Sequence, residues 1–222
     1  MKLAISGASG KTGYRVAEEA LKAGNAIRLL VRKNSFIPET LEKCEKKILS
    51  LGNATSLDDA LQDCDTLVIA TGARPSLDLT GPARVDACGV RSQIKSCKRV
   101  GIKRVLLVSS LCAGRWIHPL NLFGLILIWK RIGEKSLQGS GLDWTVIRPG
   151  GLLEREDDLK KEGVRFSGPD KQEDLSIPRR LVARCCTEAL CTPSSIGQII
   201  EITSGENISQ IKMSQAIKEF VV

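Results

Sequence analysis

Lys2-Leu-Ala-Ile-Ser6-Gly7-Ala-Ser9-Gly10-Lys11-Thr12-Gly13 opens the chain and leads into Tyr14-Arg-Val-Ala-Glu-Glu-Ala-Leu-Lys-Ala23. The first five residues read as a buried strand and Thr12 to Ala23 as an amphipathic helix, with a glycine-rich turn between them. A glycine triplet alone is weak evidence, but here it stands in the strand–turn–helix context that phosphate binding needs. Gly7 permits the tight turn, Gly10 the close approach of a pyrophosphate, and Gly13 the packing of helix on strand. Ser9, Lys11 and Thr12 complete the cradle, where the helix N-terminus offers free amides and a partial positive charge. The spacing is Gly-x-x-Gly-x-x-Gly, and not the Gly-x-Gly-x-x-Gly of two-domain dehydrogenases.

A second strand, Ala26 to Arg32, ends in Arg32-Lys33, beginning 19 residues after Gly13. An enzyme that uses NAD carries an acid there for the ribose 2′-hydroxyl. Two cations instead favour a 2′-phosphate, which Arg32 can grip with a bidentate fork. The pair therefore points to NADP(H), the alternative being two solvated basic residues at a strand end.

Working outward, strands alternate with helices to the end of the chain. Ile48–Leu51, Thr66–Ala70, Val105–Ser109, Trp144–Ile147 and Gln198–Ile202 read as strands. Ser56–Leu61, Pro82–Val100, Leu120–Gln138, Arg179–Leu190 and Ser209–Phe220 read as helices. In the second of these, Val85, Cys88, Val90, Ile94 and Cys97 fall on one face. Strands apolar on both faces and separated by helices indicate an α/β fold, a doubly wound parallel sheet covered on both sides. Charge is dense between Glu154 and Asp174, which reads as an exposed loop or a small substrate-side lobe, at about 151–178, over the sheet edge.

The 222 residues suit a single domain, 1–222, and 42% hydrophobic with 26% charged residues can bury a core. Lys and Arg exceed Asp and Glu by 33 to 25. With only eight aromatics, among them one tyrosine, the basic surface suits a small anionic ligand and not a nucleic acid. No apolar run approaches the roughly 18 residues of a transmembrane segment. The opening lacks a signal-peptide pattern, so a cytoplasmic protein is expected. The eight cysteines form no CxxC pair and His118 is the one histidine, so no metal site is expected. Adjacent Cys185 and Cys186 are either buried thiols or a redox pair.

Four further stretches carry a resemblance: Leu29-Leu-Val-Arg32, Val105-Leu-Leu-Val-Ser109-Ser110, Ser140-Gly-Leu-Asp-Trp-Thr-Val-Ile-Arg148-Pro149-Gly150, and Asp174-Leu-Ser176-Ile-Pro-Arg-Arg-Leu-Val182-Ala183. With the glycine turn, they make the chain similar to the atypical short-chain dehydrogenase/reductases. That group includes NmrA-like proteins and the flavin reductase/biliverdin-IXβ reductase type. The resemblance implies a Rossmann-type sheet of order 3-2-1-4-5-6-7 with the dinucleotide across its carboxyl edge. It also implies that Ala70, Thr71 and Gly72 line the adenosine ribose and that Asn53 lies near the adenine. Pro149 and Gly150 would lie beside the nicotinamide, with Ser109 and Ser110 at the same edge and Arg74 reaching a phosphate.

Short-chain reductases commonly pair a proton-donating tyrosine with a lysine four residues later. Lys130 matches that lysine, but Ile126 stands in the tyrosine's place, and Tyr14 belongs to the first helix. A tyrosine-dependent ketone reductase is therefore disfavoured. One surviving reading is hydride transfer from NADPH to a conjugated acceptor, a flavin or a linear tetrapyrrole, with Ser110 and Lys130 beside the nicotinamide. The other is a non-catalytic NADP(H) sensor or assembly protein. His118 is either a loop residue or a proton donor. Leu120–Trp129, the most apolar stretch, suits a buried helix, a lid, or a contact for a membrane, a second subunit or a partner protein.

Overall fold

The computed structural model describes residues 1–73, 78–172 and 175–220. β1 (Lys2–Ser6) lies at the centre of the sheet, between β2 (Ala26–Val31) and β4 (Thr66–Ile69), parallel to both. Its side chains alternate: Leu3 and Ile5 point into one apolar cluster and Ala4 into the other, all fully buried. Two-sided burial is why this strand reads as a continuous apolar run. Removing Leu3 or Ile5 from water stabilises the fold by about 1.5–3 kcal/mol each.

On the first face pack α1 (Gly13–Lys22), α5 (Arg179–Leu190) and α6 (Met213–Phe220). On the second pack α2 (Ala54–Leu61), α3 (Val90–Val100) and α4 (Ile126–Gln138). The remaining strands are β3 (Glu45–Ile48), β5 (Arg104–Val108), β6 (Asp143–Pro149), β8 (Gly163–Ser167) and β10 (Gln198–Gly205). Among the described residues the sheet order is β3-β2-β1-β4-β5-β6-β10-β8, with β8 antiparallel to its neighbour. The expected 3-2-1-4-5-6-7 order is present, β10 being the seventh strand. The direction of strand addition reverses between β1 and β4, and a crevice opens there at the carboxyl ends.

Four expectations need correction. The third strand is Glu45–Ile48 and not Ile48–Leu51, and all four residues are exposed. Edge strands hide little apolar surface, so hydrophobicity does not mark this one. Charge does: the Glu45 carboxylate pairs with Lys2 (3.1 Å) and with Arg28 on β2 (2.9 Å).

The long helix from Pro82 begins as a π-helical turn, Ala83–Gly89, before α3. The wider turn shifts the face, so Asp86 and Ala87 are buried while Cys88 is exposed. The apolar stretch after Leu120 is not one helix either. A 3-10 turn, Pro119–Leu122, ends at Gly124 (φ 77°) and Leu125 (φ 57°), and α4 starts only at Ile126. Leu122 is consequently 81% exposed.

Finally, the charged stretch after Glu154 contains β8. The small lobe is a two-stranded parallel pair, β7 (Gly151–Leu153) with β9 (Ser176–Pro178).

A buried ion cluster joins this region to the sheet. Arg148, fully buried on β6, donates Nε and Nη2 to the Glu134 carboxylate at 2.9 and 2.8 Å. Its Nη1 reaches Asp170 at 3.0 Å and Glu201 at 3.3 Å. Glu201 in turn accepts the amides of Asp170, Lys171 and Gln172, which fixes the loop after β8. Burial alone would depress the guanidinium pKa, but Glu134, Asp170 and Glu201 together raise it.

Candidate dinucleotide and acceptor site

The glycine turn after β1 is closed by the Gly10 amide donating to the Gly7 carbonyl at 2.8 Å. α1 begins with the Tyr14 amide donating to Gly10 O at 3.1 Å. Gly7 adopts φ +83°, and a Cβ there would stand 2.8 Å from the backbone of Ala70 and Thr71. A Cβ on Gly13 would lie 2.1 Å from Gly7 O. Only glycines let the helix end approach the sheet this closely. The amides of Lys11, Thr12 and Gly13 have no backbone acceptor among the described residues. Across from them Thr71 Oγ1 is buried without a partner. A turn that no side chain can fill, free amides and an orphaned hydroxyl are what a bound pyrophosphate and ribose require, so the residues fit a dinucleotide.

A cleft of about 720 Å³ runs from this turn across the carboxyl ends of β1, β4, β5 and β6. Gly10, Lys11, Thr12, Ala70, Thr71 and Gly72 line one half. Ser109, Ser110, Lys130, Pro149 and Gly150 line the other. Gly7, Ser9 and Gly13 build the turn behind the lining. Ser109 Oγ donates to Glu134 at 2.6 Å, tying it to the buried ion cluster. Arg32 and Lys33 stand exposed at the end of β2 with no ion-pair partner among the described residues. Asn53 caps α2, its Oδ1 accepting from the Ser56 amide at 3.0 Å. Arg74 lies outside the described residues.

Lys130 on α4 reaches back to the loop after β4. Its Nζ donates to Asp86 Oδ1 at 2.7 Å, and Asp86 Oδ2 accepts from the Ala73 amide at 3.0 Å. Gly133 makes this reach possible, because a Cβ there would stand 2.2 Å from the Asp86 carbonyl. The π-helical turn places Asp86, and π turns often occur where a function is served. Neither Asp86 nor the turn is visible in the apolar pattern of the sequence.

His118 also lines the cleft, and its Nδ1 accepts from the Leu120 amide at 3.2 Å. In the neutral ring the proton then resides on Nε2. Leu111, Leu120, Leu152 and Leu175 supply apolar wall around Ser110 and His118.

The rim at the phosphate end is strongly charged. Glu154 pairs with Lys11 (3.0 Å) and Arg179 (2.8 Å), and Glu156 pairs with Arg15 and Arg180. Partial burial works to raise the Glu154 and Glu156 pKa values, yet the hydrogen-bonded cations hold both carboxylates below their ordinary value of 4.5. Arg179 is a cleft residue that the motif reading passed over, although Ile177-Pro-Arg-Arg marks its helix start. Cys185 and Cys186 are buried, which raises the Cys185 thiol well above its ordinary value and pushes Cys186 up to about 12. Neither is a ready thiolate, so the redox-pair alternative falls.

Strand order, switch-point crevice and glycine turn define a dinucleotide-binding domain. The chain matches the NAD(P)H-binding family over residues 7–193 and belongs to it. A chloroplastic Arabidopsis thaliana protein is 32% identical, covering 91% of this chain and 76% of its own. Sanguinarine reductase of Eschscholzia californica is 30% identical over 84% of this chain and 82% of its own. Protein TIC 62 of Pisum sativum is 33% identical over 71% of this chain, which spans about a third (34%) of that relative's length.

Among solved structures, an NAD-dependent epimerase/dehydratase-type protein from Bacillus halodurans has a TM-score of 0.85 at 25% identity. The match covers 99% of this chain and 100% of that one. An anaerobilin reductase from Escherichia coli O157:H7 shares the fold, with a TM-score of 0.75 at 21% identity over 95% and 100% of the chains. Among the described residues no helix is long and apolar enough to cross a membrane.

Proposed function

We propose that the chain is an NADPH-dependent oxidoreductase acting on a conjugated, largely apolar acceptor, a flavin or a linear tetrapyrrole. The observation that carries this reading is the shape of the cleft. It continues past Pro149 and Gly150 into a space walled by leucines and bordered by Ser110, Lys130 and His118. That a sanguinarine reductase and an anaerobilin reductase are among the similar proteins supports the reaction type.

NADPH, when bound, supplies the hydride. The protein supplies position and charge. Arg32 and Lys33 select the 2′-phosphate, and Lys130, oriented by Asp86, holds the ribose hydroxyls and adds positive charge. Ser110 fixes the acceptor, and the proton that accompanies the hydride comes from solvent or from the acceptor itself. No tyrosine is required, which accommodates Ile126.

The test is NADPH oxidation by the purified protein with flavin mononucleotide or biliverdin as acceptor, beside a titration of NADPH binding. Turnover with both acceptors absent from the blank supports the reductase. Tight binding with no turnover on either would favour the second reading, a non-catalytic NADP(H) sensor, which Ile126 in the tyrosine position already supports.

A further inference from the structure

The turn that cradles the phosphates is not covered by its own helix alone. Thr12 is the N-cap of α1, yet its side chain makes no bond to the helix amides. Its Oγ1 instead accepts from Arg179 Nη1 at 2.8 Å, across 167 residues of sequence. Arg179 is the first residue of α5 and follows Pro178, whose fixed φ sets the direction of the helix start. The side chain is mostly buried, at 19% exposure, and it lines the cleft beside Gly10 and Lys11. Its Nε donates to Glu154 Oε1 at 2.8 Å, and its Nη2 has no acceptor among the described residues. The same Glu154 oxygen accepts from Lys11 Nζ at 3.0 Å.

Glu154, just past the end of β7, thus holds three cations beside the phosphate turn: Lys11, Arg179 and, at 3.5 Å, Arg15. That carboxylate is an anion seated beside an anion site. It is half-exposed, and the pairs it makes are of the exchangeable surface kind. A pyrophosphate offers the same donors more charge and more acceptor oxygens, and an arginine fork matches its geometry.

We propose that Arg179 is a ligand of the cofactor's pyrophosphate, and that the pyrophosphate takes Lys11 and Arg179 over from Glu154 on binding. Binding therefore loosens the β7 end of the small lobe from the turn and leaves Glu154 to Arg15. The inference rests on membership of the NAD(P)H-binding family and not on turnover, so the reductase reading can fail without it.

The pyrophosphate is common to NADPH and NADH, whereas a 2′-phosphate belongs to NADPH alone. That difference makes the test. Dissociation constants for NADPH and NADH are measured by fluorescence titration for the unmodified protein, Arg179→Gln, Arg179→Lys and Glu154→Gln, with circular dichroism melting of each.

Arg179→Gln is expected to weaken both cofactors by about ten- to hundredfold and to the same extent, since a hydrogen bond to a charged group is at stake. Arg179→Lys should recover part of the loss for both. Glu154→Gln, which keeps an oxygen acceptor and removes the competing charge, should tighten both about threefold at low salt. Unchanged binding in Arg179→Gln, or a loss confined to NADPH, overturns the pyrophosphate assignment. Weaker binding in Glu154→Gln overturns the exchange, and this variant remains decisive even if Arg179→Gln fails to fold.

Discussion

Two clusters of arginine and carboxylate use the same pairing chemistry in opposite ways. Around Arg148, with Glu134 and Glu201, the charges are sealed from water apart from the outlying Asp170 and Arg131, and Arg148 grips Glu134 with a bidentate fork. Around Arg179, with Lys11 and Glu154, the carboxylate stays about half exposed. A buried cluster cannot exchange partners without stranding a charge, so it fixes geometry. An exposed cluster trades partners at little cost, so it can admit a ligand. The rigid cluster anchors Ser109 and the loop after β8, and the exchangeable one borders the phosphate turn.

Breaking the buried cluster should have the largest effect. Arg148→Met leaves Glu201 without its cation and Glu134 with only the partly exposed Arg131, and is expected to cost about 3–5 kcal/mol. At this chain length that lowers the thermal midpoint by roughly 6–20 °C in a melting experiment. A midpoint within 2 °C or so of the parent would mean that the cluster holds nothing together.

Next comes the 2′-phosphate. Arg32→Glu should weaken NADPH about a hundredfold, or about 2.7 kcal/mol, while leaving NADH nearly unchanged. Equal losses for both cofactors would take Arg32 out of phosphate selection.

Acid should reach the exposed cluster through Glu154 and Glu156, whose folded pKa values lie below 4.5. Their contribution is complete above the unfolded pKa and fades as pH falls through the lower folded one. The melting temperature is therefore expected to drop below about pH 4.5, and Glu156→Gln should make that drop shallower. A drop of identical steepness in the variant would remove Glu156 from the account.

The smallest effect belongs to Lys161→Ala, which removes a fully solvated pair with Asp158. Its cost should stay within about 0.5 kcal/mol by urea denaturation.

The two clusters also differ in how far the sequence discloses them. β1, its glycine turn and α1 were legible because periodicity and turn chemistry agree there on one structure. Most of the phosphate half of the cleft follows from that agreement, Lys11 and Thr12 included. The buried cluster was not legible, since Arg148, Glu134 and Glu201 are far apart in sequence and each looks like an ordinary surface charge. Its nearest signal was Arg148 inside an otherwise apolar strand. Arg179 was hidden for the same reason, being a charged residue whose partner Thr12 is 167 positions away. Cys88 was placed on the wrong face because a period of 3.6 was assumed where the chain runs wider. The exposure of Leu122 does not follow from apolarity, because the break at Gly124 and Leu125 that ends the 3-10 turn lies within the most apolar stretch of the chain.

The π turn at Ala83–Gly89 has a consequence for how this chain tolerates changes of length. Such a turn carries one residue more than an α turn, so it marks a place where the helix can lose a residue and relax. A deletion there would be absorbed locally, yet it would rotate everything on its N-terminal side by about 100° relative to α3. Asp86 would swing away from Lys130, and the loop after β4 would lose its tether at Ala73. Sequences one residue shorter at this point should fold as well as this one and lack a carboxylate beside the lysine.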